Sequence, residues 1–254
     1  MIQIINKGAA PTSLLAEGTL LSDAMKADYL LHKSAYKNGS KKFAFPYAYK
    51  SDDVKNKLLD VQHNKCCFCE AKFVNDYFHV EHFRPKGRVD KWPIGPSSYP
   101  GYYWLAYEWS NLFLAKGKTN TSFKRNFFPL VGRITRNRTH LDKKIESSLL
   151  IDPGSENPRI HIRFKKEEIY GKTARGRKNI ELLNLRNPQI DEARRTKYGI
   201  LDALKTSIEL LIAKGSNVTD PTIQAMIRPL RYAITPQAEF SSMAIDLLSG
   251  WPHL

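Results

Sequence analysis

The chain has 254 residues, of which 42% are hydrophobic and 26% are charged, as expected of a folded soluble protein with a substantial core. Lys and Arg total 40 against 25 Asp and Glu, which gives a formal net charge of +15. This excess favours a polyanionic partner, with nucleic acid as the first candidate and an anionic membrane surface as the alternative. No apolar stretch approaches the roughly 20 residues of a transmembrane helix, which excludes a membrane-spanning protein.

The cysteines and the first residues indicate a cytoplasmic protein. All three cysteines lie between Cys66 and Cys69, which is not a disulfide framework and suits a reducing compartment. The opening segment lacks the pattern of a signal peptide, because its one lysine, Lys7, follows the apolar residues.

Two helices and an aromatic loop are predicted before the cysteines. A helix is expected from about Leu20 to Lys37, with residues 1–15 extended before it, and Asn38-Gly39 ends it. Phe43–Tyr47 is an aromatic loop, for which packing under the helices is favoured over stacking on nucleic-acid bases. Ser51 has the character of an N-cap, and apolar residues at helical spacing follow it.

The centre of the chain predicts two short strands and a helix. Val80–Lys86 alternates apolar and charged side chains and contains a proline, which predicts a strand that ends in a turn with His82 near the strand end. Asn111–Leu114 is a second apolar run and is interpreted as the returning strand. Asn120 follows in a polar segment that can start a helix.

A hairpin and several helices are predicted for the rest of the chain. Ile160–Phe164 alternates as a half-buried strand, and Ile169-Tyr170 is expected to pair with it. Apolar residues at helical spacing then run to Gly215. Asp220-Pro221 and Thr235-Pro236 each have the form of an N-cap followed by proline at the first helical position.

Cations cluster in the stretch 116–144. Asp142 is its only acid. The simple interpretation is a basic face exposed to solvent. The favoured interpretation is a surface that binds successive phosphates of a nucleic-acid backbone. The nine basic residues are Lys116, Lys118, Lys124, Arg125, Arg133, Arg136, Arg138, Lys143 and Lys144.

Glu81-His82, Asn111-Leu112 and Asn120, in this order, resemble the HNH endonuclease family. The resemblance is closest to the retron-associated and Septu-type (PtuB-like) HNH nucleases of anti-phage defence. It implies an α+β fold in which a ββα-metal HNH finger is embedded in a mainly helical protein. The three expected regions are an N-terminal helical segment at 1–65, the HNH core at 66–130, and a basic hairpin with C-terminal helices at 131–254.

The expected chemistry is hydrolysis of a phosphodiester bond. A neutral imidazole can take a proton from water at physiological pH, and we assign that role to His82. Mg²⁺ or Mn²⁺ prefers oxygen ligands, which Glu81 and the amide of Asn120 can supply. By resemblance to the family, Asn111 either holds the loop or orients the His82 imidazole. The catalytic set is therefore His82, Asn111 and Asn120, with Glu81 and Asn120 on the metal.

Structural zinc is not expected. Family members usually carry a second Cys-x-x-Cys pair before the last asparagine, and here those positions are Lys116 and Thr119. Neither residue is a normal zinc ligand, so Cys66 and Cys69 are interpreted as buried thiols.

Several cations near the motif are candidates for contact with nucleic acid, against the alternative of simple surface charge. A guanidinium can bind phosphate with two hydrogen bonds, which favours phosphate contact over simple surface charge for Arg84. These candidates are Arg84, Lys86, Lys116, Lys118, Lys124 and Arg125.

A metal-dependent endonuclease that acts as the effector of a retron or Septu-type defence complex is the leading hypothesis. The resemblance implies an ATPase partner of the SMC/ABC type and, in retron systems, a reverse transcriptase with its RNA–DNA product. A catalytically inactive, basic nucleic-acid-binding scaffold and a stand-alone restriction-like nuclease are the alternatives. The chain has no Walker A motif and is not expected to hydrolyse ATP itself.

Overall fold

A computed structural model of the chain shows helices surrounding two small sheets. It describes residues 1–4, 6–74, 77–117, 119–132 and 135–254. In these ranges the helices are α1 (Thr12–Leu31), α2 (Lys33–Asn38), α3 (Asp52–Val61), α4 (Ala174–Leu182), α5 (Pro188–Ala213), α6 (Pro221–Ala233) and α7 (Ser241–Leu247). The strands are β1 (Phe78–His82), β2 (Leu112–Lys116), β3 (Ile162–Lys165) and β4 (Glu168–Gly171).

The central sheet consists of β1 and β2, which pair antiparallel with His82 opposite Leu112. Residues 112–115 are buried and apolar, because β2 is covered on both faces. A short π-helical segment, Thr119–Lys124, follows β2. The two strands and the helical turn therefore occur in the order that the sequence predicts, while the identity of this unit as an HNH metal finger stays a prediction.

A buried glutamine fastens α3 to β2. Gln62 donates from Nε2 to the carbonyls of Lys65 (2.8 Å) and Leu114 (2.9 Å), and its Oε1 accepts from the Leu114 N–H (2.8 Å). The amide thus pairs with the backbone of β2 as a neighbouring strand would. This satisfies backbone groups that are fully buried.

Three apolar clusters form the core. One cluster gathers residues from all three predicted regions, including Ile2, Cys66 and Phe240. A second, rich in aromatic side chains, joins α1 and α3 to the connection between β1 and β2. The third lies among α5, α6 and α7. Packing therefore crosses the predicted boundaries at residues 65 and 130.

The hairpin of β3 and β4 confirms the predicted pairing, and Phe164 lies opposite Ile169. Asp246 of α7 ties this hairpin to the C-terminal helices. Its carboxylate accepts from the Phe164 N–H (2.7 Å) and from the guanidinium groups of Arg159 (2.7 Å) and Arg163 (2.8 Å).

Helix ends differ from the sequence expectations in several places. α1 begins at Thr12, so residues 12–15 are helical and the prediction of an extended segment is wrong there. Asp220 caps α6 through the Thr222 N–H (2.7 Å), which confirms that helix start. The helix start predicted at Thr235-Pro236 is wrong: α7 begins at Ser241, after Phe240 adopts a left-handed conformation with φ 52°.

Ser51 also differs from its expected role, although α3 does follow it directly. Its hydroxyl donates to the Ala48 carbonyl (2.9 Å) and makes no capping bond to α3. None of the helices in the described part of the chain is both long enough and apolar enough to cross a bilayer.

Replacing Gln62 by Leu should lower the free energy of unfolding by about 2–4 kcal/mol, because buried N–H and C=O groups of the chain lose their partners. Urea denaturation followed by tryptophan fluorescence measures this. Gln237→Leu, at an exposed position, is the control and should change stability by less than about 0.5 kcal/mol. Equal stability of Gln62→Leu and the wild type would show that the hydrogen bonds of Gln62 do not stabilise the fold.

Candidate functional site

A polar cavity of about 320 Å³ opens at the end of β1, beside the π-helical segment. The strand carries Glu81 and His82 to the cavity, and the turn that follows them supplies a cation. The residues that line it are Val80, Glu81, His82, Pro85, Lys86, Thr121, Arg125 and Asn126.

The His82 imidazole is held by the connection between the strands. Nε2 lies 2.9 Å from the carbonyl oxygen of Ala106, and Nδ1 lies 3.4 Å from the Lys86 ammonium. Because a carbonyl only accepts hydrogen bonds, Nε2 carries the ring proton and Nδ1 keeps a free electron pair. Burial, together with the charge of Lys86, lowers the pKa of His82 well below 6.5. The ring is therefore neutral at physiological pH, as a general base must be.

Glu81 and Lys124 form a buried ion pair. The Lys124 ammonium lies 2.6 Å from Glu81 Oε1 and 3.2 Å from the carbonyl oxygen of His82. The Lys124 ammonium is therefore the charged partner of this buried carboxylate oxygen. Burial raises the pKa of Glu81 above its ordinary value, and the charge of Lys124 opposes the rise.

Lys124 differs from the sequence expectation of a surface contact with nucleic acid. Its side chain is fully buried, since its ammonium neutralises Glu81 inside the protein. Burial of the charge removes it from reach of a phosphate and gives Lys124 a structural role. The sequence indicated a cation at this position but not the carboxylate that it meets.

Asn111 closes the long connection between β1 and β2. Its Oδ1 accepts from the Arg84 N–H (2.7 Å), and its Nδ2 donates to the carbonyls of Arg84 (3.0 Å) and Leu105 (3.0 Å). Its own carbonyl accepts from the Phe83 N–H (2.9 Å). Of the two roles implied by the family resemblance, these bonds match the one of holding the loop. The described partners of the His82 ring do not include the Asn111 amide.

Arg84 is engaged within the protein. Its guanidinium pairs with Glu146 and lies over the rings of Phe128 (4.8 Å to the centroid) and Tyr102 (5.4 Å). The side chain is 27% exposed. This arrangement anchors the turn after β1 to the segment around Glu146, a contact that spans 62 positions and that the sequence alone does not reveal.

Of the other predicted nucleic-acid contacts, two lie at the cavity. Lys86 and Arg125 line the cavity, and Arg125 is exposed there. Lys116 is half-buried, and its backbone N–H points at Cys66 Sγ (3.4 Å). Lys118 and the side chain of Asn120 lie outside the described residues, so their predicted roles stay predictions.

The cysteine turn is packed in the core. Cys66, Cys67 and Cys69 form no disulfide and have at most 1% exposure, while the expectation that they bind no zinc stays a prediction. Burial raises the pKa of the Cys67 thiol. Among the described residues, no three His, Cys, Asp or Glu side chains converge in a way that could hold a metal ion.

Three contributors to the site were not identified from the sequence. The Ala106 carbonyl fixes the tautomer of His82, and a backbone group carries no sequence signal. Tyr49 packs its ring edge-on to the imidazole at 4.7 Å between centroids. Asn126 lines the cavity and could have been noticed only as a polar residue that follows the basic pair 124–125.

The chain is similar to two curated bacterial proteins. It is 35% identical over 180 residues to the Septu protein PtuB of Bacillus mycoides (strain KBAB4), an alignment that covers 66% of this chain and 61% of that protein. It is 27% identical over 150 residues to the Septu protein PtuB of Bacillus thuringiensis, covering 58% of this chain and 44% of that protein. The chain thus spans about three fifths of the first relative's length and less than half of the second's. No protein-family model matches it. The two similarities support a relationship with Septu-type proteins.

Replacing Asn111 by Ala should reduce the free energy of unfolding by about 2–4 kcal/mol, because backbone groups of the loop lose three hydrogen bonds to a buried side chain. Chemical denaturation of both proteins gives the difference. Asn56→Ala, at an exposed position of α3, is the matched control and should leave stability within about 0.5 kcal/mol of the wild type. A loss no larger than that of the control would contradict the role of Asn111 as the loop clamp.

Proposed function

We propose that this chain is a metal-dependent endonuclease that hydrolyses phosphodiester bonds of nucleic acid and acts in Septu-type anti-phage defence. The observation that carries the proposal is the state of His82: a neutral ring whose Nε2–H is bound to a backbone carbonyl and whose Nδ1 is directed toward Lys86, at the wall of the cavity. The partner of Nδ1 is Lys86, whose long and flexible side chain can move away from the ring.

His82 would act as the general base. Its Nδ1 would take the proton from a water molecule, and the oxygen of that water would attack the scissile phosphorus. The bond from phosphorus to the leaving sugar oxygen would break, and that oxygen would take a proton from water. The Ala106 carbonyl would stabilise the imidazolium that forms, since it accepts from Nε2–H before and after the transfer. Lys86 would leave Nδ1 for a phosphate oxygen, because a phosphate carries more negative charge than a neutral ring nitrogen. Arg125, exposed at the cavity, would contact the same strand.

A magnesium ion held by few protein ligands is the proposed cofactor. Glu81 supplies a carboxylate at the cavity, and Mg²⁺ is commonly bound by one or two carboxylates with waters and substrate phosphates. Asn120 would add its amide oxygen. When bound, Mg²⁺ or Mn²⁺ would neutralise charge that develops on the phosphate. Because Glu81 already balances Lys124, the cation would bind tightly only together with the negative substrate.

The role in defence is proposed from the similarity to two proteins named Septu protein PtuB. An ATPase of the SMC/ABC type is the proposed partner, and a reverse transcriptase with its RNA–DNA product is a further one if the system is a retron. Co-purification of the tagged chain with the product of a neighbouring ATPase gene tests the first partner. Cleavage by the purified chain alone would instead favour the stand-alone nuclease.

Replacing His82 by Ala should reduce the cleavage rate by about 10²- to 10⁴-fold, the usual contribution of a general base, with nucleic-acid affinity unchanged. Labelled DNA and RNA incubated with the chain, with Mg²⁺ or EDTA, and with or without the partner ATPase, give the rates. His79→Ala is the matched control, because His79 lies on the same strand and is exposed. Cleavage that persists in EDTA would contradict the dependence on a divalent metal. Unaltered cleavage by His82→Ala would contradict the role of His82 as the general base. Binding without any cleavage by the wild type would favour the inactive scaffold.

A further inference from the structure

A second cavity, also of about 320 Å³, adjoins the one at His82. Lys86 and Asn126 line both cavities, so a strand bound at the first would continue into the second. The residues that line the second cavity are Lys42, Phe43, Phe45, Lys86, Gly87, Arg88, Tyr99 and Asn126.

Phe43 anchors the aromatic loop by packing. Its ring is stacked between Tyr36, at 3.9 Å between centroids, and Tyr103, at 4.4 Å. Both faces of the Phe43 ring are therefore occupied. The structure thus agrees with the favoured interpretation of the loop for Phe43.

Phe45 is in a different situation. It is half-buried, and its ring lies 6.3 Å from that of Phe43 at an angle of 53°, so the two rings are not stacked. The Lys86 ammonium lies over the Phe45 ring, 5.3 Å from its centroid, and a base that stacks on this face would take its place. Gly87 lies beside the ring, and a side chain at position 87 would begin 3.5 Å from Phe45 Cε2. With glycine there, no side chain at position 87 covers the Cε2 edge of the ring.

The rim of the second cavity is positive. Its described lining contains three basic side chains, Lys42, Lys86 and Arg88, and no acidic one. Arg88 is fixed by Asp90, whose carboxylate accepts from its Nε at 2.8 Å and from the Ser97 hydroxyl at 2.7 Å. Tyr99 supplies a second, half-buried aromatic ring. Planar rings inside a cationic rim match a nucleotide, because bases stack on aromatic faces and phosphates bind cations.

We propose that this second cavity is a subsite for an unpaired nucleobase next to the scissile phosphate, with Phe45 as the stacking platform. The inference rests on the proposed function and specifies its substrate class. A base enters the cavity only when it is not held in a duplex, so the preferred substrate is single-stranded or carries an unpaired or extruded nucleotide. Sequence would matter little, because every base offers a planar face.

Binding in EDTA tests the subsite without requiring catalysis. Fluorescence anisotropy with a labelled single strand, the same strand fully paired, and a duplex with one unpaired nucleotide compares the wild type with Phe45 variants. Phe45→Ala and Phe45→Leu should weaken binding of the single strand about 5- to 100-fold, since a stacked base is lost. Phe45→Trp should stay within about threefold of the wild type. Leu preserves apolar packing, so its effect separates stacking from folding.

Tyr47→Ala is the matched control, because Tyr47 belongs to the same loop, is 73% exposed and does not line the cavity. It should bind as the wild type does. The fully paired duplex should bind all variants alike. Unchanged binding of the single strand by Phe45→Ala and Phe45→Leu, or an equal loss for the duplex, would overturn the subsite. The nuclease proposal fails by a different result: the wild type would not cleave nucleic acid, while its binding of the single strand would still depend on Phe45.

Discussion

The hydrogen bonds of the Asn111 side chain are the constraint on which the site depends. They join the start of the connection between β1 and β2, at Arg84, to Leu105 near its end. Leu105 directly precedes Ala106, whose carbonyl binds the His82 ring. One buried amide thus joins two distant points of this loop, and the loop in turn fixes the protonated nitrogen of the imidazole.

Charge in this protein is divided between the interior and the surface. The formal excess of +15 suggests a uniformly basic exterior, yet Lys65, Lys124 and Arg194 are buried. Lys124 neutralises Glu81, and Lys65 donates to the carbonyl of Ala238. Two cations, Lys86 and Arg125, line the cavity at His82, so the positive charge there comes from particular side chains and cannot be read from the net charge of the chain.

The sequence predicts local features of the fold and the identity of the main candidate residues. The apolar run at Asn111–Leu114 predicts β2, the alternation at Ile160–Phe164 predicts the first strand of the hairpin, and Asp220-Pro221 predicts the start of α6. Contacts between distant segments could not be predicted, because they depend on how the elements pack. The Ala106 carbonyl at His82 and the burial of Lys124 are two examples. Only the folded chain shows which partners these groups meet.

The most direct test of the account is the protonation state of His82, measured by long-range ¹H–¹⁵N correlation spectra of the labelled chain across a pH titration, with His82→Gln for assignment. Burial and the nearby cations disfavour the charged ring, so we expect a neutral imidazole at pH 7 with its proton on Nε2 and a pKa below 6.5. A proton on Nδ1 at pH 7, or a ring that becomes charged above pH 6.5, would contradict the account.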